Sequence, residues 1–189
     1  MPPSRSCPHL TAPRPSSSPV PRSDIKEEQY TNAFLGYGDE REQFALELTY
    51  NYGREAYDVG SGFGHFGLAV ADVRATAEAA RAAGGAVTRE PGPVKGGKTT
   101  IAFVKDPTGY PWELIERAGP IPEPIAQVML RVTDLERSIK FYQEALGMRL
   151  LRTRENPEYK YTLAFSEWLF CLKVPPFPAA SRGRGADVV

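Results

Sequence analysis

The chain repeats itself. Laid on itself at an offset of 62 residues, His65-Phe-Gly-Leu-Ala-Val-Ala-Asp-Val falls over Gln127-Val-Met-Leu-Arg-Val-Thr-Asp-Leu. Leu68 then meets Leu130, Val70 meets Val132, Asp72 meets Asp134, and Gly85 meets Gly147. Further along, Ile101-Ala-Phe falls over Leu163-Ala-Phe at the same offset. A second offset, of 131 residues, lays Tyr30-Thr-Asn-Ala-Phe over Tyr161-Thr-Leu-Ala-Phe. Such periods mean one supersecondary unit used several times, each copy needing its neighbours to bury an apolar face.

Each copy has a readable anatomy. A short, apolar, alternating stretch over residues 64–70, and again over 126–132, predicts a strand. Asp72 and Asp134 stand where a helix N-cap belongs, and Gly84-Gly85 and Gly147 stand where the helices should stop. Val73, Ala77 and Ala80 are the packing positions of the first helix; Ile139, Phe141, Tyr142, Ala145 and Leu146 give the apolar face of the second. Three strands follow the first helix, around 86–89, 99–104 and 112–116, with Asp106-Pro-Thr-Gly-Tyr as a turn. That is a βαβββ unit in an α+β chain. Residues 30–37 and 44–50 read as a hairpin, the last two strands of a preceding unit. A third unit begins near Gln127 and loses its pattern after Val174.

The ends differ from this middle. Residues 1–24 are rich in Pro, Ser and Arg, carry no acid before Asp24, and show no apolar period, so no packed structure is expected there or in the tail 175–189. Such a leader suits an organelle transit peptide, or a segment with no targeting role. Lys plus Arg equals Asp plus Glu at 23 each, which leaves no net field for nucleic acid or an anionic membrane. Cys7 and Cys171 make neither a disulfide framework nor a metal motif, and a reducing compartment is the simpler setting.

Several strings resemble the two-domain, plant-type glyoxalase I (lactoylglutathione lyase) family. They are Tyr30-Thr-Asn-Ala-Phe-Leu-Gly-Tyr-Gly, Glu47-Leu-Thr-Tyr-Asn-Tyr-Gly, Gly62-Phe-Gly-His-Phe-Gly, Thr88-Arg-Glu-Pro-Gly-Pro-Val-Lys-Gly-Gly-Lys and Asn156-Pro-Glu-Tyr-Lys-Tyr. The resemblance covers about residues 25–165. It implies βαβββ modules of the vicinal-oxygen-chelate fold, in an incomplete set. Residues 25–118 would be the later part of a first glyoxalase domain, 119–124 a linker, and 125–174 part of a second. It further implies isomerisation of the methylglyoxal–glutathione hemithioacetal to S-lactoylglutathione by proton abstraction beside a carbonyl, helped by a divalent metal. Nickel or cobalt is the first expectation and zinc the second.

By the matching strings, the family's metal ligands fall on His65, Glu113, Gln127 and Glu47. Glu113 matches the carboxylate that shuttles the proton. Asn51 and Arg131 match positions that contact glutathione, and Lys98 is a further candidate for its carboxylates. The family implies a cytoplasmic protein, or a plastid one if the leader is a transit peptide.

Without the resemblance the same residues read more plainly. A lone histidine on an apolar strand is more often a hydrogen-bonded core residue than a ligand. Glu113 between Trp112 and Leu114 still stands out, because apolar strands rarely hold an unpaired carboxylate. Glu47 could face solvent, Gln127 alone draws no notice, and Val94-Lys-Gly-Gly-Lys lacks the spacing of a phosphate loop and reads as a glycine turn. Four polar residues on equivalent strands favour the metal site.

Repeat spacing also exposes gaps. The copy of Glu47 in the third unit should fall at Pro178, in a tail with no strand pattern, and the first-strand ligand belonging with Glu47 falls before Met1. His9 has the wrong spacing to replace it. In the two-domain family the second unit faces the third, so one site keeps His65, Glu113 and Gln127 while the other keeps Glu47 alone. The expectation is a folded chain with weak metal binding and low or no activity. Two other classes stand beside it: a non-catalytic binder of glutathione conjugates, and a fragment that pairs with itself through exposed strand edges.

Overall fold

The computed structural model describes residues 22–39, 41 and 43–168. The expected tail, and the leader up to residue 21, lie outside the described residues. The chain divides into two compact units at Arg131 and Val132.

The first unit holds two sheets. One has the order β1-β2-β3, built from β1 (Arg22–Ile25), β2 (Tyr30–Gly36) and β3 (Ala45–Asn51), all antiparallel. The strand β1 begins inside the stretch expected to be an unstructured leader. It orders because its backbone pairs with β2 and because Asp24 accepts a 2.8 Å hydrogen bond from Thr31, whose hydroxyl also meets the Tyr52 hydroxyl at 3.0 Å. Thr31 is buried, so this polar node satisfies a group that would otherwise be costly to bury.

The other sheet has the order β5-β6-β7-β4-β8. Its elements are β4 (Phe63–Val70), α1 (Val73–Ala82), β5 (Ala86–Pro93), β6 (Thr100–Lys105), β7 (Pro111–Glu116) and β8 (Ile125–Leu130). That is the βαβββ unit expected from the repeat, followed by the first strand of the next unit. β4 runs parallel to β7 and antiparallel to β8. By its ladder β8 belongs to this first unit, although the sequence reading opens a second domain at residue 125.

Alternation along the strands separates two faces. On one, Leu114, Ala102 and Val104 pack with Val73 and Ala77 of α1, and Leu68, Val70, Ala80, Val87 and Trp112 close around them. Leu114 and Val73 are the largest fully buried side chains, each adding about 1.5–3 kcal/mol on burial. All three packing positions expected for the first helix lie in this core. Asp72 caps α1 by accepting from the Ala75 N–H at 2.9 Å.

The hairpin β2–β3 is a residue-by-residue copy of the hairpin β6–β7. Phe34 pairs with Glu47 as Phe103 pairs with Glu113, and Ala33 pairs with Leu48 as Ala102 pairs with Leu114.

The second unit contains α2 (Leu135–Glu144), β9 (Met148–Asn156), a 3-10 turn (Pro157–Tyr159) and β10 (Tyr161–Trp168). β9 and β10 form a two-stranded antiparallel sheet. Asp134 caps α2 through the Arg137 N–H at 3.0 Å. No residue of α2 is buried, and Phe141, expected on its apolar face, is 56% exposed.

Candidate metal centre

The second face of the five-stranded sheet carries the site. Glu113 on β7 stands opposite Gly67 on β4, and Gly67 stands opposite Gln127 on β8. Three adjacent strands therefore bring Glu113, Gly67 and Gln127 into one row. Neighbouring strands are about 4.8 Å apart, so the outer side chains can meet only by leaning over the middle position. Gly67 leaves that position bare: a Cβ there would sit 2.1 Å from Gln127 Cγ. His65 lies two residues back along β4, on the same face.

The three polar heads converge. Gln127 Nε2 donates to Glu113 Oε2 at 2.9 Å and lies 3.2 Å from His65 Nε2. His65 Nε2 and Glu113 Oε2 are 3.1 Å apart. His65 is buried, Glu113 and Gln127 are half-buried, and the Phe103 ring meets the imidazole edge-on at 5.4 Å between centroids. The repeat explains the convergence. His65 and Gln127 are equivalent positions on antiparallel neighbours, each one residue from the Phe66–Val128 pair about which the two strands are related.

This donor set fits a divalent cation of borderline softness. It offers an imidazole nitrogen, a carboxylate, and an amide oxygen once the Gln127 amide is turned to present Oε1, an orientation set by its neighbours. A cation held by the three would replace the hydrogen bonds now linking their heads. Among the described residues no group of three or more His, Cys, Asp and Glu could hold a metal; the centre depends on the glutamine.

The other expected site residues are placed elsewhere. Glu47 lies on β3 in the three-stranded sheet, exposed, and accepts from Asn32 Nδ2 at 2.8 Å. Asn51, at the end of β3, donates through Nδ2 to the Tyr57 hydroxyl at 2.7 Å. Arg131 uses Nη1 to grip the backbone entering β4, donating to Ser61 O at 3.1 Å and Phe63 O at 2.7 Å. Lys98 is exposed in the β5–β6 turn, which closes through Val94 N–H to Thr99 O at 2.8 Å. The glycine-turn reading of that segment therefore stands.

Sequence reasoning missed Gly67 and Phe103. Gly67 left a signal, since a glycine on the inward face of a strand often marks a close approach. Phe103 left none beyond its place in the repeated Ala-Phe pair.

Residues 26–114 and 124–167 match the Glyoxalase/Bleomycin resistance protein/Dioxygenase superfamily. The chain belongs to this superfamily. Within it, the chain is 68% identical over 143 residues to a probable chloroplastic lactoylglutathione lyase of Arabidopsis thaliana, covering 76% of this chain and 41% of that one. It is 60% identical over 94 residues to a probable lactoylglutathione lyase of Vibrio parahaemolyticus, covering 50% of this chain and 68% of that one. The crystal structure of glyoxalase I from Zea mays superposes with a TM-score of 0.75 at 60% identity, covering 79% of this chain and 53% of the maize chain. This glyoxalase-superfamily chain thus spans about half the length of its plant relatives. The α+β fold of βαβββ modules expected from the repeat is the fold of these relatives.

Proposed function

We propose that the chain carries a lactoylglutathione lyase centre, acting on the hemithioacetal of methylglyoxal and glutathione with His65, Glu113 and Gln127 as its polar machinery. The convergence of those three heads within 3.2 Å over Gly67, in a chain of this family, carries the reading. Nickel or cobalt suits the imidazole and oxygen donors, and zinc would also be accepted. A bound divalent ion would supply Lewis-acid stabilisation of the negative charge that develops on the substrate oxygens. Glu113 takes the proton from the carbon beside the carbonyl and returns it to the neighbouring carbon, so the net change is an isomerisation. His65 and Gln127 fix the position of that carboxylate, and the wall of β4 and Phe103 limits water around it.

Asn51, Arg131 and Lys98 are the proposed contacts for the glutathione portion. Arg131 spends one nitrogen on the β4 entry and keeps further donors for a ligand carboxylate. Three protein donors hold a metal more loosely than four, and small misplacements cost rate steeply. Low turnover follows for the 189-residue chain alone. The chloroplastic relative and the Pro-, Ser- and Arg-rich leader support a plastid address over a cytoplasmic one.

The test is an isomerase assay on the hemithioacetal with added Ni²⁺ or Zn²⁺, with Glu113→Gln as control. Weak, metal-dependent activity that vanishes in Glu113→Gln is expected. Metal-independent activity, or activity unchanged by Glu113→Gln, would overturn the assignment. Fast turnover by a chain shown to be monomeric would overturn the three-donor account.

A further inference from the structure

We propose that Gln43 Oε1 and Glu123 Oε1 form a seat for a monovalent alkali cation, where the β2–β3 turn meets the segment leading into β8. The seat uses none of His65, Glu113 and Gln127, and it stands whether or not those three hold a metal.

Two side chains make a reciprocal clasp there. Gln43, in the β2–β3 turn, donates through Nε2 to Pro122 O at 3.1 Å. Glu123, in the segment between β7 and β8, accepts the Phe44 N–H on Oε2 at 3.2 Å. Each side chain thus ends on the backbone of the other's chain neighbour, which draws the two heads toward one junction.

The clasp leaves two acceptors over. Gln43 Oε1 and Glu123 Oε1 are both enclosed, and neither accepts a hydrogen bond among the described residues. Turning the amide brings no relief, because Pro122 O only accepts and Nε2 must face it. The neighbouring backbone is short of donors, since Pro120, Pro122 and Pro124 carry no N–H. The Ala69 N–H, which reaches this segment, is spent on Pro124 O at 2.7 Å. An enclosed acceptor without a partner is costly, and an enclosed carboxylate more so. A water would give each oxygen a hydrogen and leave the charge unbalanced; a cation meets both needs. Oxygen donors alone select a hard cation. One carboxylate beside one neutral amide carries a single negative charge, which a monovalent ion balances and a divalent ion overshoots.

Gly38 gives the amide head its place. A Cβ there would lie 2.3 Å from Gln43 Oε1 and 2.7 Å from its Cδ. The position therefore offers a way to displace one donor without changing any charge. β8 begins at Ile125, two residues beyond Glu123, so an ion in the seat ties the β2–β3 turn to the strand that carries Gln127.

The experiment melts the full 189-residue chain in potassium chloride and in tetramethylammonium chloride, whose cation is too large for the seat. Ionic strength is matched so that screening is the same in both. Potassium is expected to raise the melting temperature saturably, by about 2–4 °C, and to slow hydrogen exchange at the Phe44 N–H. Glu123→Gln, which keeps an acceptor for Phe44, is expected to abolish both responses. Gly38→Ala is expected to move the potassium midpoint several-fold higher, and Glu113→Gln to respond as the native chain does.

Equal melting and equal Phe44 exchange in the two salts would overturn the proposal. So would a potassium response that survives Glu123→Gln or Gly38→Ala unchanged, or one that disappears in Glu113→Gln. Stabilisation by Ca²⁺ without any by potassium or sodium would overturn the charge match and with it the monovalent seat.

Discussion

The two helices start alike and end up differently. Asp72 and Asp134 cap them with nearly the same backbone angles, φ −139° and ψ 105° against φ −137° and ψ 107°. In each, the fourth residue on returns a hydroxyl to the cap carbonyl, Thr76 at 2.7 Å and Ser138 at 2.7 Å. Each helix runs for ten residues. Yet α1 buries Val73 and Ala77 completely, and α2 buries nothing. Within its own unit α1 lies on a sheet in which β4 is locked to β7, whereas α2 shares its unit with a two-stranded sheet, which is marginal by itself. Local sequence sets where a helix begins and how long it runs. Burial depends on the strand that closes the module.

The core gives the largest effect. Leu114→Ala is expected to destabilise the first unit by about 2–5 kcal/mol in urea melts. Its repeat copy, Leu48→Ala, should stay within about 0.5 kcal/mol in dilute protein, where the position is open. Equal losses at both sites would mean that Leu48 is covered within the single chain.

Gly67→Ala should come next. Its Cβ meets Gln127 Cγ at 2.1 Å, so either β8 shifts or the glutamine leaves the cluster. A loss of about 1–3 kcal/mol is expected, with metal affinity reduced in the same variant. Gly62→Ala, where an added Cβ meets nothing within 4 Å, is the matched control.

The caps then sharpen the comparison of helices. Asp72→Ala should cost about 1 kcal/mol of global stability. Asp134→Ala should leave the global melt unchanged and shorten hydrogen-exchange lifetimes only over residues 135–144.

The smallest effect is a pH response at β1. The Thr31 hydroxyl, and then the Arg22 guanidinium, hold Asp24 below the usual aspartate range. Its folded-state value is depressed, so the stability it adds is present above the unfolded value and lost as pH falls through the folded one. NMR titration should place that loss in acid below the ordinary aspartate midpoint, and Thr31→Val should move the midpoint upward.

Much of this was legible beforehand, because a repeat converts one well-patterned module into a map for the others. His65 and Gln127 could be equated by counting, and Glu113 was conspicuous between Trp112 and Leu114. What counting could not supply was the transverse register. The row Glu113–Gly67–Gln127 exists only once β7, β4 and β8 are laid side by side, so the need for a glycine at position 67 was not legible. Arg131 was matched by resemblance to a glutathione-contact position, but its grip on Ser61 and Phe63 is a long-range contact that no local pattern encodes. The strand β1 was hidden for a related reason. Its residues are polar, and its order comes from β2 and Thr31 rather than from its own composition.

The metal centre exists only if His65, Glu113 and Gln127 bind a divalent ion together. Cobalt(II) titration followed by visible absorption, on the full chain and on Glu113→Gln and Gln127→Ala, tests this directly. A cobalt spectrum that saturates in the native chain, with affinity reduced at least about tenfold in both variants, is the expected result. Native-like cobalt binding in both variants would place the metal elsewhere and contradict the account.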